Sequence, residues 1–152
     1  MPAWILDENV FKRSLEAACT TTAENVDAAK VMEFVQLHGK WVFTDAIRIK
    51  YWVHWKGRSC NGSLTLRLLK SFQELMWDAD RSILLEDVPV VAGDYHDDDE
   101  FVVSAAAAAP ADAVLVTDDS RLRDALVAEG IPDQKGFRVV GIAQAVAIQA
   151  EL

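Results

Sequence analysis

The stretch Asp112–Asp119, DAVLVTDD, decides the fold. Four apolar residues, Ala113 to Val116, run without interruption and stop on Thr117, Asp118 and Asp119. A short unbroken apolar run bounded by polar residues has the pattern of a strand buried on both faces. The segment that follows, SRLRDALVAEG, reads as a helix with Ser120 near its start and Gly130 as its stop. FRVVG (137–141) reads as the last strand and IAQAVAIQAEL (142–152) as a terminal helix.

The same alternation extends towards the beginning of the chain. In AWILDENVF (3–11) the apolar segment Ala3–Leu6 predicts a buried strand that ends on Asp7 and feeds a loop. TTAENVDAAKVMEFVQLHGK (21–40) predicts a helix, with Thr21 and Glu24 at capping-box spacing, an apolar stripe through Val31, Met32, Phe34 and Val35, and Gly39 as terminator. KWVFTD (40–45) reads as a second strand, DAIRIKYWVHWKGR (45–58) as an aromatic-rich helix and SCNGS (59–63) as a turn. LTLRLLKSFQELMWDAD (64–80) places Leu64, Leu68, Phe72, Leu75 and Met76 on one helical face. SILLEDVPVVAGD (82–94) holds one short strand, and HDDDEFVVSAAAAA (96–109) opens a helix that Pro110 stops. Strands alternating with helices predict a three-layer α/β/α fold with a mostly parallel central sheet, and residues 1–152 read as one domain.

Composition narrows the function. A net charge of −9 argues against a protein that holds nucleic acid by charge alone, so any such role must be local or mediated by metal ions. No apolar run has membrane-spanning length, and no basic-then-apolar leader opens the chain. Cys19 and Cys60 lack metal-ligand spacing and read as reduced thiols of a cytoplasmic protein. His38, His54 and His96 show no zinc spacing either, and His96 beside the acid run reads as a solvated loop residue. KYWVHWK (50–56) mixes aromatic and basic side chains, the composition of a surface that stacks bases and contacts phosphates, although a helix that buries some aromatics and snorkels its lysines is the preferred reading and a partner-binding groove a third.

The acids carry the chemistry. Asp7 and Asp119 end strands, and Asp99 opens a helix. Ligands of an open parallel sheet sit outside the carboxyl ends of its strands, so these three can converge in one crevice. Crowded carboxylates repel one another unless something neutralises them, and hard oxygen donors suit Mg²⁺ or Mn²⁺.

ILDENV (5–10) and DDDEFVVSAAAAAPADAVLVTDDSRL (97–122) resemble the PIN domains, a family that includes the VapC-type toxins of bacterial toxin–antitoxin pairs. That family shows an apolar strand followed by Asp-x-Asn-Val, later an Asp opening an Ala-rich helix, then an apolar strand ending Thr-x-Asp. Asp7 and Asn9 match the first motif, Asp99 the second, and Thr117 and Asp119 the third. The resemblance implies an endoribonuclease that hydrolyses RNA phosphodiesters with metal-activated water. It assigns Asp7, Asp99 and Asp119 to Mg²⁺ or Mn²⁺, with Asn9 orienting Asp7 and Thr117 orienting Asp119. It also implies an antitoxin protein and a homodimer as partners. Asp97, Asp98 and Glu100 read as solvated, with Asp98 replacing Asp99 as ligand if the register shifts by one.

One departure stands out. The family carries a glutamate on the helix after the second strand, and the matching position here is Lys50, which cannot ligate Mg²⁺ as a carboxylate does. Asp45, Asp118 and Glu8 are the candidates to replace the missing acid. The competing reading is a catalytically weakened PIN-like binding module. A phosphohydrolase with a nucleophilic aspartate, resembling the haloacid dehalogenases, would want a second Asp where Asn9 stands.

Overall fold

The computed structural model describes residues 1–152. Its strands are β1 (Ala3–Leu6), β2 (Lys40–Phe43), β3 (Ser82–Leu84), β4 (Ala113–Val116) and β5 (Phe137–Val140). Its helices are α1 (Glu8–Glu16), α2 (Ala23–His38), α3 (Asp45–Lys56), α4 (Ser63–Met76), α5 (Glu100–Ala108), α6 (Ser120–Ala128), α7 (Ile131–Lys135) and α8 (Ile142–Ala150). The five strands form one sheet in the order β3-β2-β1-β4-β5, and every pair is parallel. With helices on both faces this is the three-layer α/β/α fold that the alternation of apolar runs predicts. No helix is long and apolar enough to cross a membrane.

The central strands are apolar at consecutive positions because both of their faces are covered. Trp4, Ile5 and Leu6 of β1 and Ala113 to Val116 of β4 are wholly buried. Each such aliphatic side chain contributes roughly 1.5–3 kcal/mol of burial free energy. On one face α1 packs against α2, α3 and α4. There Phe11 stacks on Tyr51 with ring centres 4.3 Å apart, and Phe72 meets Phe11, Trp41, Phe43 and Tyr51 in one aromatic cluster. On the other face α5 lies across β1 and β4, which explains its alanines: Ala105 and Ala106 are buried against the sheet, where small side chains allow close approach.

Three local expectations need correction. The segment after β1 is not a loop but helix α1. Asp7, Glu8 and Asn9 look like loop chemistry, yet Asp7 is the N-cap, its carboxylate accepting the Glu8 N–H, and Val10, Phe11 and Leu15 bury the helix's inner side. The cap of α2 is Thr22 rather than Thr21, with its hydroxyl accepting the Asn25 N–H, so the expected pairing with Glu24 is displaced by one residue. Gly39 does end α2, and there is a steric reason: a Cβ would lie 2.9 Å from the Trp4 ring.

The third correction concerns the cysteines. Cys19 and Cys60 are not free thiols but a disulfide that ties the turn after α1 to the α3–α4 connection. Spacing alone carried no sign of it, because the two residues lie 41 positions apart and meet only through the packing of α1 on α3 and α4. Disulfides persist in oxidising compartments, so the redox surroundings of the chain decide whether the tether stays closed. Closing a loop of this length restricts the unfolded chain by about 4 kcal/mol. A Cys19→Ser/Cys60→Ser variant is therefore expected to lose about 3–4 kcal/mol in urea unfolding. An unchanged midpoint, with two thiols titrating in the unfolded wild-type chain, would show that the tether is open in solution.

Candidate active site

The sheet reverses direction between β1 and β4. From β1 the chain builds outward through β2 and β3, then returns to the far side of β1 as β4 and continues to β5. Ligand crevices of open parallel sheets form outside the strand ends at such a reversal. The register Leu6↔Val116 sets the next residues, Asp7 and Thr117, side by side at that point, and the Asp7 N–H extends the ladder by donating to the Val116 carbonyl at 2.9 Å.

Thr117 is wholly buried and its hydroxyl makes two bonds. It donates to Oδ2 of Asp7 at 2.6 Å and accepts the Asp119 N–H at 3.2 Å. The Thr-x-Asp pattern thus has a structural meaning: the threonine joins the Asp7 carboxylate to the backbone that carries Asp119. The expectation that Thr117 orients the Asp119 side chain is met only through the main chain, and its side-chain partner is Asp7. The other Asp7 oxygen, Oδ1, accepts the Glu8 N–H at 2.8 Å.

Asp7 is a carboxylate at 2 % exposure. Burial pushes its pKa from 3.8 up to about 6, against the two hydrogen bonds that favour the charged form, and the charges of Asp99 and Glu8 add to the rise. Asp99 is also raised, first by burial and then by repulsion from Asp119, with His96 partly offsetting it. Asp99 therefore stands electrostatically between Asp7 and Asp119, and the three acids from β1, β4 and the start of α5 share one region. Asp119 caps α6, its Oδ1 accepting the Arg121 and Leu122 N–H groups at 3.0 and 3.2 Å. Asp99 makes no capping bond and is free to turn. Asp99 and Asp119 both line a cavity of about 480 Å³.

The remaining sequence candidates separate clearly. His96 accepts the Asp98 N–H through Nδ1 and caps a single 3-10 turn, Asp97–Asp99, and the Asp98 side chain is exposed. Asp98 lines the same cavity as Asp99 and Asp119, and Asp99 is the one of the two that is partly buried and whose pKa the charge of Asp119 helps to raise. Asn9 is solvent-exposed and lines a different depression with Lys12, Arg13 and Asp118, so it does not orient Asp7. Asp118 is bound to Arg13 at 2.7 Å, which leaves only Asp119 of the pair unneutralised. Asp45 opens α3 beside a separate acidic cavity with Glu86, Asp87 and Glu100. Lys50 points its ammonium at the Phe101 ring, 5.3 Å from the centroid. Glu8 is the candidate substitute that acts electrostatically on both Asp7 and Asp99, and it is held by His54 of α3 at 3.0 Å.

Sequence reasoning missed several supports. The Tyr51 hydroxyl, completely buried, donates to the Leu6 carbonyl directly behind Asp7, and burial drives its pKa upward. Arg123 donates to the Thr117 carbonyl at 2.6 Å, fixing the turn from β4 into α6. Arg123 lies in no motif and Tyr51 lies in KYWVHWK without being marked as a support of Asp7; each role is legible only once α3 and α6 are placed against the strand ends.

Asp7, Asp99 and Asp119 match a hard divalent cation in donor chemistry. As they stand, no three acidic side chains come together closely enough to hold a metal ion.

The raised pKa of Asp7 gives a sign for stability. The folded state binds this proton more tightly than the unfolded state, so its contribution is fully present below about pH 4 and is lost as pH rises through 6. In EDTA, Asp7→Asn is expected to remove this slope and to raise stability at pH 8 by up to about 3 kcal/mol. Urea unfolding at pH 4 and pH 8 measures it; equal slopes in wild type and variant would mean that Asp7 is solvated. The chain matches no protein-family model, no curated protein and no solved structure.

Proposed function

We propose that the chain is a metal-dependent endoribonuclease that works through Asp7, Asp99 and Asp119. The observation that carries this reading is geometric: the strand register seats the Asp7 carboxylate on Thr117, two residues before Asp119, at the reversal point of the sheet, and Asp119 shares a cavity with Asp99. Folding places like charges together there without a basic side chain bonded to any of the three, and a bound cation resolves that conflict. Mg²⁺ or Mn²⁺ supplies Lewis acidity towards water and towards a phosphodiester.

The residues divide the work. Asp7 is fixed by two hydrogen bonds and cannot swing. Asp119 has one oxygen committed to the α6 N-terminus and offers the other. Asp99, on the rim, adjusts to what lies between them. Thr117 keeps Asp7 in the charged, correctly oriented form, because its hydroxyl donates to the carboxylate. RNA is the substrate implied by the PIN-like motifs.

One observation favours a second reading, a PIN-like binding module. The helix that would contribute a further acid instead presents Lys50. Restoring the carboxylate separates the two: if RNA cleavage appears only in Lys50→Glu, the natural chain is the binding module.

Cleavage of a labelled RNA with Mg²⁺ or Mn²⁺ is expected in the wild type and is expected to stop in EDTA. Asp7→Asn and Asp119→Asn should each lower the rate more than about 100-fold, and Thr117→Val by about 10–100-fold, since a support of a ligand is worth that much. Full activity in Asp7→Asn and Asp119→Asn would remove the proposal.

A further inference from the structure

Residues 46–73 contain six basic side chains, Arg48, Lys50, Lys56, Arg58, Arg67 and Lys70, and no acidic one, in a chain with 24 acids against 15 bases. This stretch makes up nearly all of α3 and most of α4. On α3, Ile47 and Tyr51 face the core, while the outer face exposes Ile49 (64 %), Trp52 (51 %) and Val53 (61 %). Trp77, just past α4, is 78 % exposed. Large exposed indoles are costly to leave in water without a partner.

Each of these indoles carries a cation. The Arg48 guanidinium lies 5.5 Å from the Trp77 ring centre and the Lys56 ammonium 5.4 Å from that of Trp52. The opposite flank of the same helix borders the acidic crevice: His54 bonds Glu8, the neighbour of Asp7, and Lys50 covers Phe101, two residues past Asp99. Helix α3 is therefore a wall with the carboxylates on one side and a basic, aromatic surface on the other.

We propose that the outer face of α3, together with Trp77, binds single-stranded RNA, with bases stacked on Trp52 and Trp77 and phosphates held by Arg48 and Lys56. An acidic crevice in a chain of net charge −9 repels a polyanion, so affinity must come from a place where the sign is reversed, and Arg48 and Lys56 beside Trp77 and Trp52 make one; Arg67 of α4 is already paired with Glu33. A π-face with a cation beside it, repeated, suits a strand that alternates bases with phosphates. An acidic amphipathic protein segment would use the same charges together with Ile49 and Val53, and it is the alternative that the test must separate. The substrate class rests on the nuclease reading; the binding surface itself does not require cleavage.

The test is fluorescence anisotropy with a fluorescein-labelled single-stranded oligouridylate in EDTA, where cleavage cannot intervene. Wild type is expected to bind with strong salt dependence. Trp52→Ala and Trp77→Ala should each weaken binding about tenfold. Arg48→Ala/Lys56→Ala should reduce the slope of log affinity against log salt by roughly 1.4. Trp52→Phe/Trp77→Phe, which keeps an aromatic face, is expected to retain most of the binding and guards against loss through misfolding. The proposal is overturned if wild type does not bind the strand. It is also overturned if the alanine variants, folded by circular dichroism, bind unchanged, or if a glutamate-rich amphipathic peptide binds this face and the RNA fails to displace it. Binding by this face without cleavage in Mg²⁺ or Mn²⁺ would sink the nuclease reading alone. Cleavage with binding indifferent to Trp52 and Trp77 would sink this one alone.

Discussion

The parallel pairing of β1 with β4 is the constraint on which the rest depends. It joins the two halves of the sheet at the point where the chain changes direction, and its register sets Asp7 beside Thr117. Every later feature of the site follows. The Asp7 N–H closes onto Val116, its carboxylate takes the Thr117 hydroxyl, and the same hydroxyl takes the Asp119 N–H. A slip of one residue would send Asp7 to the opposite face of the sheet and break both of its bonds to β4 and Thr117. The core that holds this register is ordinary: wholly buried aliphatic and aromatic side chains on both faces.

Against that frame, the charges are distributed unevenly. Asp118 is neutralised by Arg13, whereas no base is bonded to Asp7, Asp99 or Asp119, and the charge of Asp99 adds to the raised pKa of Asp7 as that of Asp119 does to Asp99. The bases that the site lacks are gathered on α3 and α4. A fold optimised for stability alone would mix these charges. On the proposed reading a cation balances the acids of the crevice and an anion the exposed bases of α3.

The sheet was readable because β1 and β4 are unbroken apolar runs with polar ends and the shorter apolar segments of β2, β3 and β5 alternate with helical patterns around them. The fold class was readable from their alternation with helices. Helix α1 was hidden because its first residues, Asp7, Glu8 and Asn9, have loop chemistry, and it is the capping geometry that reveals the helix. The short α7 lies in a segment between Gly130 and Phe137 whose sequence pattern marks no element, because its five residues are too few to show a periodicity. At the site, motif spacing brought out Asp7, Asp99, Thr117 and Asp119, whose separation in sequence is undone by strand order. Asn9 was misread because it sits on the outer side of α1, which a loop assignment could not reveal. Tyr51, His54 and Arg123 depend on helix rotation and packing, and the Cys19–Cys60 pair on the docking of α1 against α3 and α4; none of these leaves a mark in local sequence.

The most direct measurement is the anomalous difference map of crystals soaked in Mn²⁺. The expected result is a peak at the C-terminal edge of β1 and β4, with oxygens of Asp7, Asp99 and Asp119 drawn to roughly 2.1 Å from it and the Asp99 side chain rotated inward. A map with no peak in that crevice at saturating Mn²⁺, or with Asp99 still turned away from Asp7, would contradict the idea that these three carboxylates share a cation.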